Sequence, residues 1–379
     1  MQGIKVAYLL GSLNRGGTET LLLDVFNNSQ NQQLNAVGIY RKSGVLEKNF
    51  IESGVPMIKL SPRKNILIYI WHLRKLFKNN SIDIVHAQQP IDALYAYFAT
   101  IGTKIPLLLT LHGYDFNQGK HLALLLKFIL PRTNKNLYVS ENQCSYYSQK
   151  YNLERNKQIV VYNGISFNKM DSFEKHSIRK ELGLDESTIL IGSVGNFNEV
   201  RDQFTLCHLA RLLSEQNIDF HLIFAGKRVD NISERYDNCV DYCKEHNLLS
   251  HVHFLGSRQD VPNILSQLNA FIYASDHDTF GIAVVEAMAV GVPVFVNDWE
   301  VMTEITEDGK LATLYITKDE NDLVEKFKLF LQNKEEYKQK ALKAASYVRQ
   351  KYSIEKHIDQ LKELCQCLKY VDRSKSKTL

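Results

Sequence analysis

Short runs rich in Val, Ile and Leu recur along this chain and alternate with stretches of helical period, a pattern that restricts the fold severely. In the first half, Ile4–Leu10, Ala36–Tyr40, Met57–Leu60, Ile82–His86, Pro106–Leu111, Leu137–Ser140 and Ile159–Tyr162 read as strands. Amphipathic stretches such as Glu19–Phe26 and Ile66–Phe77 lie between them. Apolar strands alternating with helices specify a mostly parallel sheet covered on both faces. The second half repeats the pattern, with strands at Thr188–Val194, Phe220–Ala225, Val252–Leu255, Ala270–Ala274 and Val292–Val296. Its helices fall near Asp202–Gln216, Ser233–His246, Val261–Leu268 and Ile282–Ala289. The polar segment Asn163–Glu181, opening on the turn signal Asn163-Gly164, reads as a linker. From Asn321 to about Tyr370 the chain reads as charged helix and then frays at Ser374-Lys375-Ser376-Lys377.

The expectation is an α/β protein of two doubly wound, Rossmann-like domains: residues 1–165, residues 166–355, and a C-terminal helix and tail, 356–379, able to pack back on the first domain. A length of 379 residues suits two cores rather than one. With 44% hydrophobic and 23% charged residues, disorder is excluded as the general state. The six cysteines, Cys144, Cys207, Cys239, Cys243, Cys365 and Cys367, form no C-x-x-C pair, and they read as reduced thiols of a cytoplasmic protein. Ile4–Leu10 is too short for a signal sequence, and no stretch reaches the ~18 apolar residues of a membrane span. Residues 1–165 carry 19 Lys and Arg against 9 Asp and Glu, although the whole chain is only +4. That asymmetry gives the first half an anionic partner, with nucleic acid and an anionic membrane surface the candidates on charge alone.

In doubly wound sheets, ligands bind beyond the carboxyl ends of strands. Gly11-Ser12-Leu13-Asn14-Arg15-Gly16-Gly17-Thr18-Glu19 follows the first strand. It lets backbone approach a ligand and offers a helix start to an anion, or serves simply as a tight turn. It is no Walker loop. His86-Ala87-Gln88 ends the fourth strand and His112-Gly113 follows the fifth. Gly195-Asn196-Phe197 follows the first strand of the second domain, with Arg201 where the next helix begins, a placement suited to a diphosphate or to a solvated cap. The strongest signal is Ser275-Asp276-His277-Asp278-Thr279-Phe280-Gly281 leading into a helix whose single charge is Glu286. A buried carboxylate there needs partners, and vicinal ribose hydroxyls or a basic side chain would supply them.

These motifs, in this order, resemble the family 4 glycosyltransferases of the GT-B fold over nearly the whole chain: Gly16-Gly17-Thr18-Glu19, His112-Gly113, Asn163-Gly164-Ile165, and two carboxylates eight residues apart, Asp278 and Glu286, flanking Phe280-Gly281. The resemblance implies two domains facing each other across a cleft that holds the donor. It implies that Glu286 holds the donor ribose and Asp278 the sugar hydroxyls. Backbone N–H groups at Phe280, Gly281 and Ile282 would face the sugar and phosphates. Arg201 would neutralise the diphosphate, where the family usually has lysine; Gly16 and Gly17 would approach it from the first domain. His112 would touch the transferred sugar, and Gly256 to Arg258 would lie near the base. Asn196 stands where the family commonly has arginine, and Asp278 replaces glutamate. His112, Asp278 and Glu286 are the candidate catalytic residues.

By the same resemblance the donor is a UDP- or GDP-linked hexose. The acceptor is a growing saccharide or lipid-linked saccharide of a cell-surface polysaccharide, and the anomeric configuration is retained. No cofactor and no metal are implied, although Asp276-His277-Asp278 mimics the Asp-x-Asp of a metal-dependent fold. No nucleic acid partner is implied. The basic apolar stretches 63–78 and 120–132 point instead to a peripheral position on the inner face of the membrane, or else to helices that bury that face. Two other readings are a non-catalytic nucleotide-sugar-binding partner, kept open by Asn196 and Asp278, and an epimerase or phosphorylase on the same fold.

Overall fold

The computed structural model describes residues 3–29, 34–62, 65–116, 118–172 and 176–375. Arg63 and Lys64 of the first basic stretch, residues 173–175 of the linker, and Ser376 and Lys377 of the tail lie outside the described residues. The chain divides into two compact units, Met1–Ile165 with Tyr352–Leu379, and Ser166–Lys351.

The first unit is built on β1 (Lys5–Ser12), β2 (Asn35–Lys42), β3 (Met57–Lys59), β4 (Ile84–Ala87), β5 (Leu107–Leu111), β6 (Lys135–Tyr138) and β7 (Gln158–Val160). They form one parallel sheet in the order β3-β2-β1-β4-β5-β6-β7. Val6 to Leu10 of β1 are all buried. One face packs Tyr8 edge-on to Phe26, which meets Phe50 in turn. The other packs Ala7 and Leu9 with Tyr69, Leu73 and Phe77 of the helix Ile66–Asn79. Burial of both faces is why this strand reads as an apolar run rather than an alternation.

The second unit repeats the plan with β8 (Ile189–Val194), β9 (Phe220–Ala225), β10 (Val252–Gly256), β11 (Ala270–Tyr273), β12 (Val294–Asn297) and β13 (Thr313–Tyr315), in the order β10-β9-β8-β11-β12-β13. Cys207, Cys239 and Cys243 are buried in its core, and all six cysteines are free thiols. In each sheet the strand order reverses beside the first strand, between β1 and β4 and between β8 and β11. Loops leaving these strands diverge there and leave an opening at their carboxyl ends. The motifs after β1, β4, β8 and β11 therefore lie at switch points.

The structure corrects four local readings. The segment 163–181 is not a free polar linker: it carries the helices Phe167–Asp171 and Ile178–Leu182 and buries Phe167, Met170 and Ile178. Arg179 is buried there too, donating to the carbonyls of Asp185 at 3.0 Å and Thr188 at 2.8 Å and to Asn269 Oδ1 at 2.8 Å. The second unit ends at Lys351 rather than 355. Beyond it, Ile165 N–H donates to the Tyr352 carbonyl, Ile354 N–H donates back to Ile165, and Ile354, Ile358, Leu361 and Cys365 enter the core of the first unit. The helical stretch after Asn321 is three helices, Glu320–Gln332, Lys334–Lys351 and Ile354–Lys375. Finally, β13 is too short to give a sequence pattern.

Candidate active site

The loops after β8 and β11 are zipped together. Arg201 pairs with Ser275 in an isolated antiparallel bridge. Asp202 N–H donates to the Ala274 carbonyl at 3.2 Å, and Asp276 N–H to the Val200 carbonyl at 3.0 Å. Buried Asn297, at the end of β12, clamps the same loop: its Oδ1 accepts from Ser275 N–H at 3.0 Å and its Nδ2 donates to the Ser275 carbonyl at 2.8 Å. Two glycines let the loops after β8 and β9 approach closely beside it. Gly195 sits at φ +149°, and a Cβ on Gly226 would lie 1.9 Å from the Gly195 carbonyl oxygen.

On this scaffold Arg201 and Asp278 are brought together. Arg201 Nη1 donates to Asp278 Oδ2, the Tyr273 hydroxyl donates to the same oxygen, and the guanidinium lies 4.3 Å above the Tyr273 ring. Both charged side chains are largely buried, at 16% and 14% exposure. Arg201 Nε is buried with no hydrogen-bond partner among the described residues. Arg201 does not open the next helix, however. That helix starts at Gln203, with Asp202 as its cap, accepting from Thr205 N–H. Tyr273 was missed from the sequence. The available signal was a lone hydroxyl at the end of a buried, otherwise apolar strand, where a phenol needs a partner.

Gly281, at φ +81°, turns the loop into the helix Ile282–Val290. A Cβ there would meet Met302 Cε at 2.9 Å, and Phe280 is buried beside it. Glu286 is not the fully buried carboxylate expected. Ile282, Glu286 and Val290 are the three residues of this helix that are not fully buried, and their spacing of four puts them on one open stripe. Arg258 is committed to structure. Its guanidinium takes Asp260 at 2.8 and 2.8 Å and Glu181 at 2.6 and 3.0 Å, and these two carboxylates hold its pKa above the usual range. Gly256, in the same loop, has φ +68°, and a Cβ there would meet nothing within 4 Å. Asn196 likewise builds the loop, its Oδ1 accepting from Lys227 N–H at 3.1 Å.

The opening of the first sheet has a different chemistry. Gly17 is exposed at the start of the helix Gly17–Ser29, and a Cβ on Gly16 would crowd the Glu19 carboxylate at 2.6 Å. His112 Nε2 lies 2.8 Å from Gln88 Oε1. That carbonyl oxygen only accepts, so Nε2 carries the proton. His86 Nε2 meets Thr110 Oγ1 at 2.7 Å, and His357 Nδ1 donates to the Tyr162 carbonyl at 2.7 Å. Burial pushes all three rings down, His86 and His112 to about 3 and His357 to about 4, so they are neutral near pH 7. They line a cavity of about 10 Å³ with Tyr8, Gln88 and Asn163. The loop carrying His112 is anchored by Asp115. Burial opposes its charge, yet hydrogen bonds from Tyr151, Tyr146 and Lys150 hold its pKa below the usual value.

Away from these openings, the helices Ile66–Asn79 and Lys120–Ile129 flank the helix Pro90–Thr100. Tyr69, Leu73 and Phe77 face the core, but Leu67 is 76%, Trp71 57% and Leu124 66% exposed. Phe98 and Ile101 add to the same layer, and Lys75 lies over Trp71 and Arg132 over Phe128. Among the described residues no helix is long and apolar enough to cross a membrane.

Two family profiles match the chain in succession, "Glycosyltransferase Family 4" over residues 15–169 and "Glycosyl transferases group 1" over residues 174–349. The O-antigen biosynthesis glycosyltransferase WclY of Escherichia coli is 25% identical over 316 residues, covering 80% of this chain and 82% of its own. The UDP-Gal:alpha-D-GlcNAc-diphosphoundecaprenol alpha-1,3-galactosyltransferase of Escherichia coli is 22% identical over 313 residues, covering 78% and 79%. The structure of Anabaena HepE in complex with UDP and glucose matches with a TM-score of 0.83 at 17% identity, over 96% of this chain and 100% of that one, a likeness of fold. Motifs, fold and relatives agree: the chain belongs to the family 4 glycosyltransferases, a nucleotide-sugar-dependent enzyme of the GT-B fold.

Proposed function

We propose that the enzyme takes a hexosyl group from a UDP-sugar and transfers it, with retention, to a lipid-linked saccharide of a cell-surface glycan. The observation that carries the donor site is the Arg201 guanidinium, desolvated at the switch point of the second sheet with its Nε unpartnered. Departure of the diphosphate needs fixed positive charge and N–H donors. Groups of this kind contribute ~3–4 kcal/mol each where measured in acyl transfer. Arg201 supplies the charge, and the N–H groups around Gly281 and Ile282 supply the donors. Glu286, on the open stripe of its helix, accepts from the ribose hydroxyls, and Asp278 accepts from the sugar. His112 is a neutral imidazole and acts by contact and hydrogen bonding to the transferred sugar, not by charge.

Uridine is favoured by the relatives whose names carry UDP, and a lipid diphosphate acceptor by the diphosphoundecaprenol relative. The exposed apolar layer of the first unit, edged by Lys75, Lys120, Lys127 and Arg132, fits an anionic bilayer that presents such an acceptor. Incubation with a panel of UDP- and GDP-sugars, reading free nucleoside diphosphate, tests the donor. Slow hydrolysis of one UDP-hexose is the expected result. Release from a GDP-sugar alone would overturn the uridine assignment, and release from none would favour a non-catalytic binding partner.

A further inference from the structure

The two charged groups assigned to the donor hold each other. Arg201 Nη1 and the Tyr273 hydroxyl both donate to Asp278 Oδ2, and the guanidinium rests on the ring of that same tyrosine. Tyr273 is fixed from behind. It is 1% exposed, and its carbonyl accepts from the buried Tyr315 hydroxyl at 2.9 Å. The Asp278 carbonyl is held in turn by Trp299 Nε1 at 3.2 Å. The carboxylate is thus well anchored without any ligand.

An anion drawn to Arg201 competes directly with Asp278 for the guanidinium. Once Arg201 turns to the phosphates, Asp278 keeps only the Tyr273 hydroxyl, and a largely buried carboxylate short of donors is unfavourable. A donor that carries its sugar restores the balance, because a sugar hydroxyl donates to Asp278 in place of the guanidinium. A free nucleoside diphosphate cannot do this. We propose that Asp278 sets the preference for sugar-bearing over sugar-free nucleotide, by pairing with Arg201 whenever no sugar is present, with Tyr273 as the residue that positions the pair. The inference rests on the donor-site reading above. Its functional consequence is release of the spent nucleotide: when the sugar leaves, Asp278 reclaims Arg201 and weakens the hold on the product.

Calorimetric titration of UDP and of UDP-glucose into the parent protein, Asp278→Asn and Tyr273→Phe tests this. The parent binds UDP-glucose more tightly than UDP. Asp278→Asn removes the competing charge, so UDP binding tightens about five- to tenfold, the scale of one charge-assisted contact, while the advantage of the sugar disappears. Tyr273→Phe keeps the stacked ring but strips Asp278 of its remaining donor. UDP binding then weakens about threefold or more, with UDP-glucose less affected. A purely structural role for either residue would weaken both ligands in both variants. UDP binding that is unchanged or weaker in Asp278→Asn, or shifts of the same sign in the two variants, overturns the proposal. If the parent binds neither nucleotide, the donor-site reading itself fails. Thermal melting checks folding, and should one variant prove unfolded, the sign of the other's shift decides.

Discussion

The two switch points share a topology and differ in chemistry. At one, the end of β11 and the loops after β8 and β11 bring Arg201, Asp278 and Tyr273 into a triangle held by hydrogen bonds to the carboxylate and a cation–π stack. At the other, His86 in β4 and His112 just past β5 are joined by His357 from the C-terminal helix, all kept neutral by burial. A fold repeated twice therefore need not divide one task equally. Fixed charge belongs where a diphosphate leaves. Neutral donors and acceptors belong where an uncharged sugar must be held without a penalty for desolvating an ion.

The sharpest way to break this contrast is to remove the charge. Arg201→Ala should weaken UDP far more than uridine and lower transfer about 100-fold or more, the scale seen when one such electrostatic donor is lost. Glu286→Gln should lower donor use while retaining the fold, because the amide keeps the volume and loses the charged acceptor. Titration with UDP and with uridine separates the two proposed roles, Arg201 on the diphosphate and Glu286 on the nucleoside. Equal loss of both ligands in Arg201→Ala would end the assignment of charge to the second switch point.

The neutral histidines predict a pH dependence of stability. Their folded pKa values, about 3 for His86 and His112 and about 4 for His357, lie below the ordinary 6.5. Between those limits the unfolded chain binds more protons than the folded one. Stability is therefore full above about pH 6.5 and falls as the pH drops, by up to about 1.4 kcal/mol per pH unit for each ring. Urea unfolding at pH 7 and pH 5 measures it. The midpoint should drop, and His357→Gln should flatten the slope; a midpoint indifferent to pH over that range would mean that the rings are not held neutral.

The exposed layer of the first unit predicts a smaller effect. Flotation with anionic liposomes at low salt should recover the protein, and Trp71→Ser should reduce recovery several-fold, since Trp71 is 57% exposed and so contributes little to the core. Rising salt should weaken binding through the basic residues, each worth roughly 1 kcal/mol near an anionic surface. Binding unaffected by salt would remove the electrostatic part of the assignment.

The strands were legible because parallel sheets buried on both faces write unbroken apolar runs, as Val6 to Leu10 show. The segment 163–181 was not, because Phe167, Met170 and Ile178 are too sparse among polar neighbours to reveal two short helices. At the site, type and order were readable and partnership was not. Arg258 looked available until Glu181, far away in sequence, took half its guanidinium. Glu286 looked buried because every neighbour in its helix is apolar, yet its position on the stripe with Ile282 and Val290 depends on what packs around the helix. Tyr273 and Asp278 are close in sequence, but only the curl of the loop brings hydroxyl to carboxylate.

The smallest expected effect is none, and it concerns metal. Asp276-His277-Asp278 has the spacing of a cation-binding pair, and a divalent ion would be an alternative source of the charge here assigned to Arg201. The geometry argues against that use. Asp276 pairs with Lys318 at 3.2 Å, and Asp278 is held by Arg201 and Tyr273. A hard cation would have to displace one basic side chain at each carboxylate, Lys318 from Asp276 and Arg201 from Asp278, and it would then need several further oxygen ligands. Among the described residues no cluster of three or more His, Cys, Asp or Glu side chains is placed to hold an ion. Lysine and arginine already match both carboxylates, so a bound metal would add positive charge to a loop that is balanced without it. We expect turnover to be unchanged after exhaustive EDTA treatment and unaffected by later addition of manganese or magnesium. Activity lost to EDTA and restored by either ion would show that the charge on the leaving diphosphate is met by a cation, and the contrast between the two switch points would have to be redrawn around it.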